Sequence, residues 1–88
     1  MKEIEDLRKE VDKADDELVS AFLKRLAATD KIGEVKRAGG MCVEDFSREK
    51  IVLDRLLSGK TPSQKEAITD LYAAIFKISK QRQAKDER

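Results

Sequence analysis

Histidine is absent from these 88 residues, and with it the commonest metal ligand and the commonest general base. Cysteine occurs once, at Cys42, which excludes an intrachain disulfide and a thiolate metal cluster. A lone thiol with no histidine to activate it is also a poor nucleophile. Aromatic residues make up only 5% of the chain, which suits helices that bury narrow stripes. An excess of either charge is missing too. Lys+Arg 19 against Asp+Glu 18 leaves a net charge of +1, so no global field draws the chain to nucleic acid or membrane. Any anion site must be a local convergence of cations. The amino terminus, MKEIEDLRKE, is too charged for a signal peptide, and no apolar run approaches a membrane span. The expectation is a single cytoplasmic domain over residues 1–88, with no metal and no cofactor.

What is present begins with a long helix former. Residues 3–38 contain no proline, and no glycine before Gly33. Apolar residues recur there on a heptad seam: Ile4, Leu7, Val11, Ala14, Leu18, Ala21, then Ala28, Ile32 and Val35. Arg25 occupies one position of that series, and a buried guanidinium is costly unless an anion meets it. About 35 helical residues span roughly 52 Å. A compact domain of this size is only about 30 Å across. The helix therefore overhangs its own domain, and its apolar seam calls for a second chain.

Gly39-Gly40 is expected to end this helix. Met41-Cys42-Val43 then reads as a short apolar connector. Asp45 is the expected N-cap of a second helix that buries Ile51, Val52, Leu53, Leu56 and Leu57. Ser58-Gly59-Lys60 ends it. Thr61-Pro62-Ser63-Gln64 reads as a third helix start, with a capping box between Thr61 and Gln64 and a competing one between Ser63 and Glu66. This helix runs to a frayed KDER tail. Its main stripe is Ile68, Leu71, Ile75 and Ile78, and Tyr72, Phe76, Ser79 and Gln83 share an adjoining face turned toward the same interior.

Several polar residues sit poorly in a plain bundle. Arg25 and Lys36 are eleven residues apart, which returns them to within about 20° of one helix face, about 16 Å along the axis. Two long cations leaning toward each other could hold a small dianion. Lys36 alone, close to the helix end, reads as a solvated charge, whereas Arg25 lies on the seam beside Phe22, Leu26 and Ala28. Arg8 is about 25 Å from Arg25 along the helix, too far to share a small ligand within one chain. If two copies pack antiparallel and cross near residue 19, Arg8 of one reaches residue 30 of the other. Asp45, Arg48 and Glu49 taken alone are first-turn charges, and Ser79 with Gln83 taken alone is a solvated flank.

The ordered set changes that reading. Leu7-Arg8-Lys9-Glu10-Val11-Asp12, Lys24-Arg25, Ile32-Gly33-Glu34-Val35-Lys36, Val43-Glu44-Asp45-Phe46-Ser47-Arg48-Glu49 and Ser79-Lys80-Gln81-Arg82-Gln83 together resemble the all-helical class of chorismate mutases. The resemblance covers nearly the whole chain. It implies an all-α fold of three helices, long, short and medium, in an intertwined antiparallel homodimer. It places carboxylate-binding arginines at Arg25 and, from the partner chain, at Arg8. It places the pair on the substrate's ether oxygen at Lys36 and Gln83. Asp45, through its backbone, and Glu49 fall near the ring hydroxyl; Arg48 and Ser79 match the remaining polar contacts. Ala14 and Leu26 depart from the family's usual residues, which bears on dimer packing rather than chemistry.

The implied reaction is the pericyclic rearrangement of chorismate to prephenate, on the route to phenylalanine and tyrosine. It needs no base, nucleophile or redox group, which suits a chain without histidine. Two tasks are left to the protein: restraining a flexible dianion and stabilising charge on the breaking ether bond. An isochorismate pyruvate-lyase on the same fold would use the same pocket. A non-catalytic helical dimerisation or regulatory module would make Arg25 a register-setting residue instead. The resemblance also leaves room for a partner enzyme of the shikimate pathway.

Overall fold

The computed structural model describes residues 1–42 and 45–85, with Lys85 by its backbone alone. Val43 of the expected connector, Glu44 of the matching segment and residues 86–88 of the expected tail lie outside the described residues. The chain forms three helices, α1 (Lys2–Ala38), α2 (Phe46–Leu57) and α3 (Pro62–Lys85). Among the described residues there is no strand.

The helix ends follow from local chemistry. At the end of α1, Gly40 takes the left-handed conformation at φ 70°. The Met41 N–H donates to the Lys36 carbonyl at 2.7 Å, and the Gly40 N–H to that of Arg37 at 3.1 Å. This paired closure satisfies carbonyls that the helix itself leaves open, and a side chain at residue 40 would strain it. Asp45 caps α2 by accepting the Arg48 N–H at 3.0 Å. Thr61 and Gln64 form the expected reciprocal box. The Gln64 side chain accepts the Thr61 N–H at 3.0 Å, and the Thr61 hydroxyl accepts the Gln64 N–H at 3.2 Å. Pro62 fills the first helical position, so the competing Ser63–Glu66 box is not the one that starts α3.

Helix α3 packs against both α1 and α2, which do not pack on each other among the described residues. The core is thin: Leu26, Val52 and Ile75 are its buried apolar side chains. Burying each contributes about 1.5–3 kcal/mol. The molecule measures 56 × 28 × 14 Å with a radius of gyration of 16.4 Å. A compact chain of this length would have a radius near 12 Å. Helix α1 does overhang the rest, and every residue from Met1 to Ala21 is exposed.

Two expectations need correction: the buried face of α2, and the main stripe of α3, where Leu71 is 44% and Ile78 37% exposed. Ile51 is 57% exposed, so the buried face of α2 comprises Val52 with half-buried Leu53, Leu56 and Leu57. On α1, the stripe that packs within the chain is not the heptad seam. It runs through Phe22, Leu26, Thr29 and Gly33, while seam residues Leu18, Ile32 and Val35 are exposed. One residue of offset turns the helix about 100°, so α1 carries two faces. Leu26 is therefore a within-chain packing residue, not a seam residue. Arg25 stands on the border between the faces.

Candidate active site

Where α1, α2 and α3 face one another, they enclose an open cavity of about 280 Å³. Helix α1 supplies Arg25, Thr29 and Lys36 to its wall. The first turn of α2 supplies Asp45, Arg48 and Glu49, held in place by the Asp45 cap. The last turns of α3 supply Ser79, Lys80 and Gln83. Seven of the eight residues expected at a site thus meet at one cavity. Arg8 does not; it is exposed on the overhanging half of α1.

Arg25 is held from α3. Its guanidinium carbon lies 5.6 Å from the ring centroids of both Tyr72 and Phe76, which meet edge to face at 5.5 Å. Nη1 donates to the Ser79 hydroxyl at 3.3 Å. Stacking on two rings leaves the guanidinium charged and oriented with few of its donors used. Because the Ser79 hydroxyl accepts from Arg25, its own hydrogen can be donated to an anion. Ser79 and Gln83 are each only 6% exposed, so the polar face of α3 does turn inward.

Gln83 donates from Nε2 to the Thr29 carbonyl at 2.8 Å. That carbonyl can only accept, which fixes the amide orientation and leaves the second Nε2 hydrogen for another acceptor. The backbone carbonyl of Gln83 accepts from Arg37 Nη1. Next to Gln83 in the chain, Arg82 grips Asp30 through two bonds, Nε to Oδ1 at 3.1 Å and Nη2 to Oδ2 at 2.6 Å. The Arg82 hydrogen bond, with its charge and that of Arg37, holds the Asp30 carboxyl below its ordinary pKa against the opposing effect of burial. Together these contacts tie the end of α3 to α1 beside the cavity.

Lys80 was not among the expected site residues. Its ammonium lies 3.3 Å from Glu49 Oε2 and 5.2 Å from the Phe46 ring centroid. The signal was available, since Lys80 continues the four-residue step from Phe76 toward the cavity. Four cations (Arg25, Lys36, Arg48 and Lys80) face two carboxylates (Asp45 and Glu49). Asp45 caps a helix and Glu49 pairs with Lys80. Among the described residues, Lys36 has no carboxylate within ion-pairing distance. The cavity is thus a local excess of positive charge on a nearly neutral chain. It suits a small dianion held by guanidinium groups and presented to an ammonium and an amide donor.

No helix among the described residues is long and apolar enough to cross a membrane. Comparison with known proteins identifies the family. Residues 7–84 match the family described as chorismate mutase type II. The chain is similar to the T-protein of Haemophilus influenzae, 34% identical over 81 residues, covering 90% of this chain and 22% of that protein. It is also similar to the intracellular chorismate mutase of Mycolicibacterium smegmatis, 33% identical over 64 residues, covering 73% of this chain and 62% of that protein. The chain therefore spans less than two thirds of the length of either relative. No solved structure matches it. With the match running across all three helices, the chain belongs to the chorismate mutase type II family.

Proposed function

We propose that this chain rearranges chorismate to prephenate, and that it does so as an antiparallel homodimer. One observation carries the reading: residues from three separate helices, each expected to touch a dianion, line a single cationic cavity. The dimer is supported by the bare apolar seam of α1, with Leu7, Val11 and Leu18 all more than half exposed in the single chain. The name of the mycobacterial relative supports action inside the cell.

In this mechanism Arg25 grips one substrate carboxylate, with Ser79 donating to the ring carboxylate. Arg8 of the partner subunit closes the anion site across the interface. Arg48 adds a further polar contact. Glu49 and the backbone of Asp45 meet the ring hydroxyl; Lys80 occupies Glu49 Oε2, leaving Oε1 to accept. This restraint selects the compact conformer in which the two reacting carbons approach, the orientation part of the catalysis. As the ether C–O bond breaks, negative charge grows on its oxygen. Lys36 meets it with a full charge and Gln83 with an amide hydrogen, both positioned before reaction. Electrons move in a closed ring within the substrate, so no proton changes hands. Since Gln83 donates without titrating, kcat/KM should hold as pH rises past neutrality. A sharp loss between about pH 5 and pH 7 would contradict the amide as donor.

Purified protein mixed with chorismate tests the activity directly, followed by loss of the substrate's ultraviolet absorbance. Appearance of salicylate fluorescence from isochorismate, with chorismate untouched, would show a lyase instead. Site sharing has its own test: co-refolding Arg8→Ala with Lys36→Ala chains. If Arg8 acts across the interface, each mixed dimer has one intact site, and about a quarter of wild-type activity returns. If it acts within its own chain, none returns.

A further inference from the structure

Gly33 is buried inside α1, five residues before its end and three before Lys36, where an interior glycine weakens the helix. Its backbone is ordinary helix, so no left-handed turn requires a glycine there. What requires it is the neighbour. A Cβ built on Gly33 would lie 2.8 Å from Gln83 Cγ, 3.2 Å from Gln83 Cβ and 3.1 Å from Arg37 Nη1. The Gln83 side chain lies flat against the bare α carbon of residue 33. From there its amide reaches the Thr29 carbonyl, one turn back on α1.

We propose that Gly33 is a positioning residue: its missing side chain sets how deep Gln83 sits, and so where the amide donor points in the cavity. This rests on the reading of Gln83 as the ether-oxygen donor. The depth of the side chain is fixed at three successive turns along one face of α1. Gly33 lies beneath it, the Thr29 carbonyl holds the amide, and Arg37 holds the Gln83 backbone carbonyl. The crowded atoms are Cβ and Cγ of a 6%-exposed residue. They are the root of the side chain, not its free end. Any added methyl group must therefore displace the amide or the last turn of α3. Arg37 Nη1 is the tip of a long chain and can yield; Gln83 cannot without losing its bond to Thr29.

The test is a cycle of Gly33→Ala, Gln83→Ala and the double variant, read by chorismate kinetics and thermal melting. Alanine has the higher helix propensity, so a glycine without a packing role would leave the alanine variant equally or more stable and equally active. The expected result is a fall in kcat of roughly 10- to 100-fold for Gly33→Ala, the size of a misplaced catalytic group, with KM little changed. In the Gln83→Ala background, which loses the 2.8 Å approach to Cγ and keeps only the 3.2 Å approach to Cβ, Gly33→Ala should lower kcat no further and should cost less melting temperature than it does with Gln83 in place. Full kcat in Gly33→Ala, or equal losses in both backgrounds, would overturn the proposal. If Gly33→Ala alone fails to fold, the double variant must fold; failure of both would overturn it equally. The two readings separate cleanly. Wild-type protein that leaves chorismate unchanged removes the proposed reaction, while the melting cycle still tests the packing of Gly33 on Gln83.

Discussion

Residues 2–21 and residues 22–38 belong to one unbroken helix, but within the chain only the second half is covered. The first half repeats apolar residues as regularly as the second and leaves all of them in solvent. The second half lies on α3 and gives the cavity Arg25, Thr29 and Lys36. The difference is one of partner rather than propensity. Helix α3 has 24 residues against 37 in α1 and cannot reach along the whole of it. The covered half builds the cationic cavity, and the bare half carries Arg8 and the exposed apolar seam on which the proposed dimer rests. Arg25, at the junction, faces the cavity and also borders the apolar groove that Leu18 and Phe22 form with Leu71 and Ile78 of α3.

The comparison can be broken most severely in the covered half. Lys36→Ala should lower kcat/KM for chorismate by about 10²–10³-fold, as loss of a charged donor does, with the melting temperature nearly unchanged. Near-wild-type kinetics would mean that Lys36 is merely a solvated charge. A second prediction sets the halves against each other by sedimentation and melting. Val11→Asp, on the bare half, should weaken the proposed dimer by roughly 100-fold, as an unpaired charge in an interface does. Leu26→Ala, on the covered half, should cost about 2–3 kcal/mol of stability for a nearly buried leucine while leaving the subunit affinity alone. If Val11→Asp leaves the sedimentation coefficient unchanged, the bare half is not the dimer seam.

The smallest effect concerns the tie between α1 and α3. Asp30 is held below its ordinary pKa in the folded chain, chiefly by the Arg82 hydrogen bond. Its contribution to stability is thus present above the unfolded carboxylate pKa and is lost as pH falls through the lower folded value. Asp30→Asn should lower the melting temperature by a few degrees at neutral pH, the scale of a partly exposed ion pair. The gap from wild type should close as pH falls through the lowered pKa of the folded Asp30 carboxyl. A gap of the same size in acid would mean that packing, not the ion pair, was lost.

Much of the fold could be read from the chain because its determinants are local. Gly40, Asp45 and the Thr61–Gln64 box act within a few residues of themselves, and each ends or starts a helix where its chemistry dictates. The overhang of α1 followed from length alone. The seam was legible as a period, and only the length of α1, not the heptad itself, pointed it to a second chain. A heptad does not say whether its apolar face meets the same chain or another, and the within-chain face proved to be offset by one residue. The site residues were legible as an ordered set of segments, although Ser79 or Arg48 taken singly resembles any helical surface residue. Lys80 escaped because a lysine on a helix is ordinarily solvated and its four-residue step from Phe76 was outweighed by that expectation; the Glu49 carboxylate at 3.3 Å and the Phe46 ring distinguish it in the fold.

The sequence by itself determined three helices and their ends, the length of α1, the lack of histidine-based chemistry and the misfit of Arg25. These depend on backbone propensity, capping and composition, which act over a few residues. Tertiary structure alone decided which face of α1 meets α3, that Arg25 rests on Tyr72 and Phe76, and that Gln83 lies against Gly33. Those outcomes depend on distances between residues about fifty positions apart in the chain. Such distances exist only once the helices have docked, because close packing fixes the separation of groups that the chain connects only loosely.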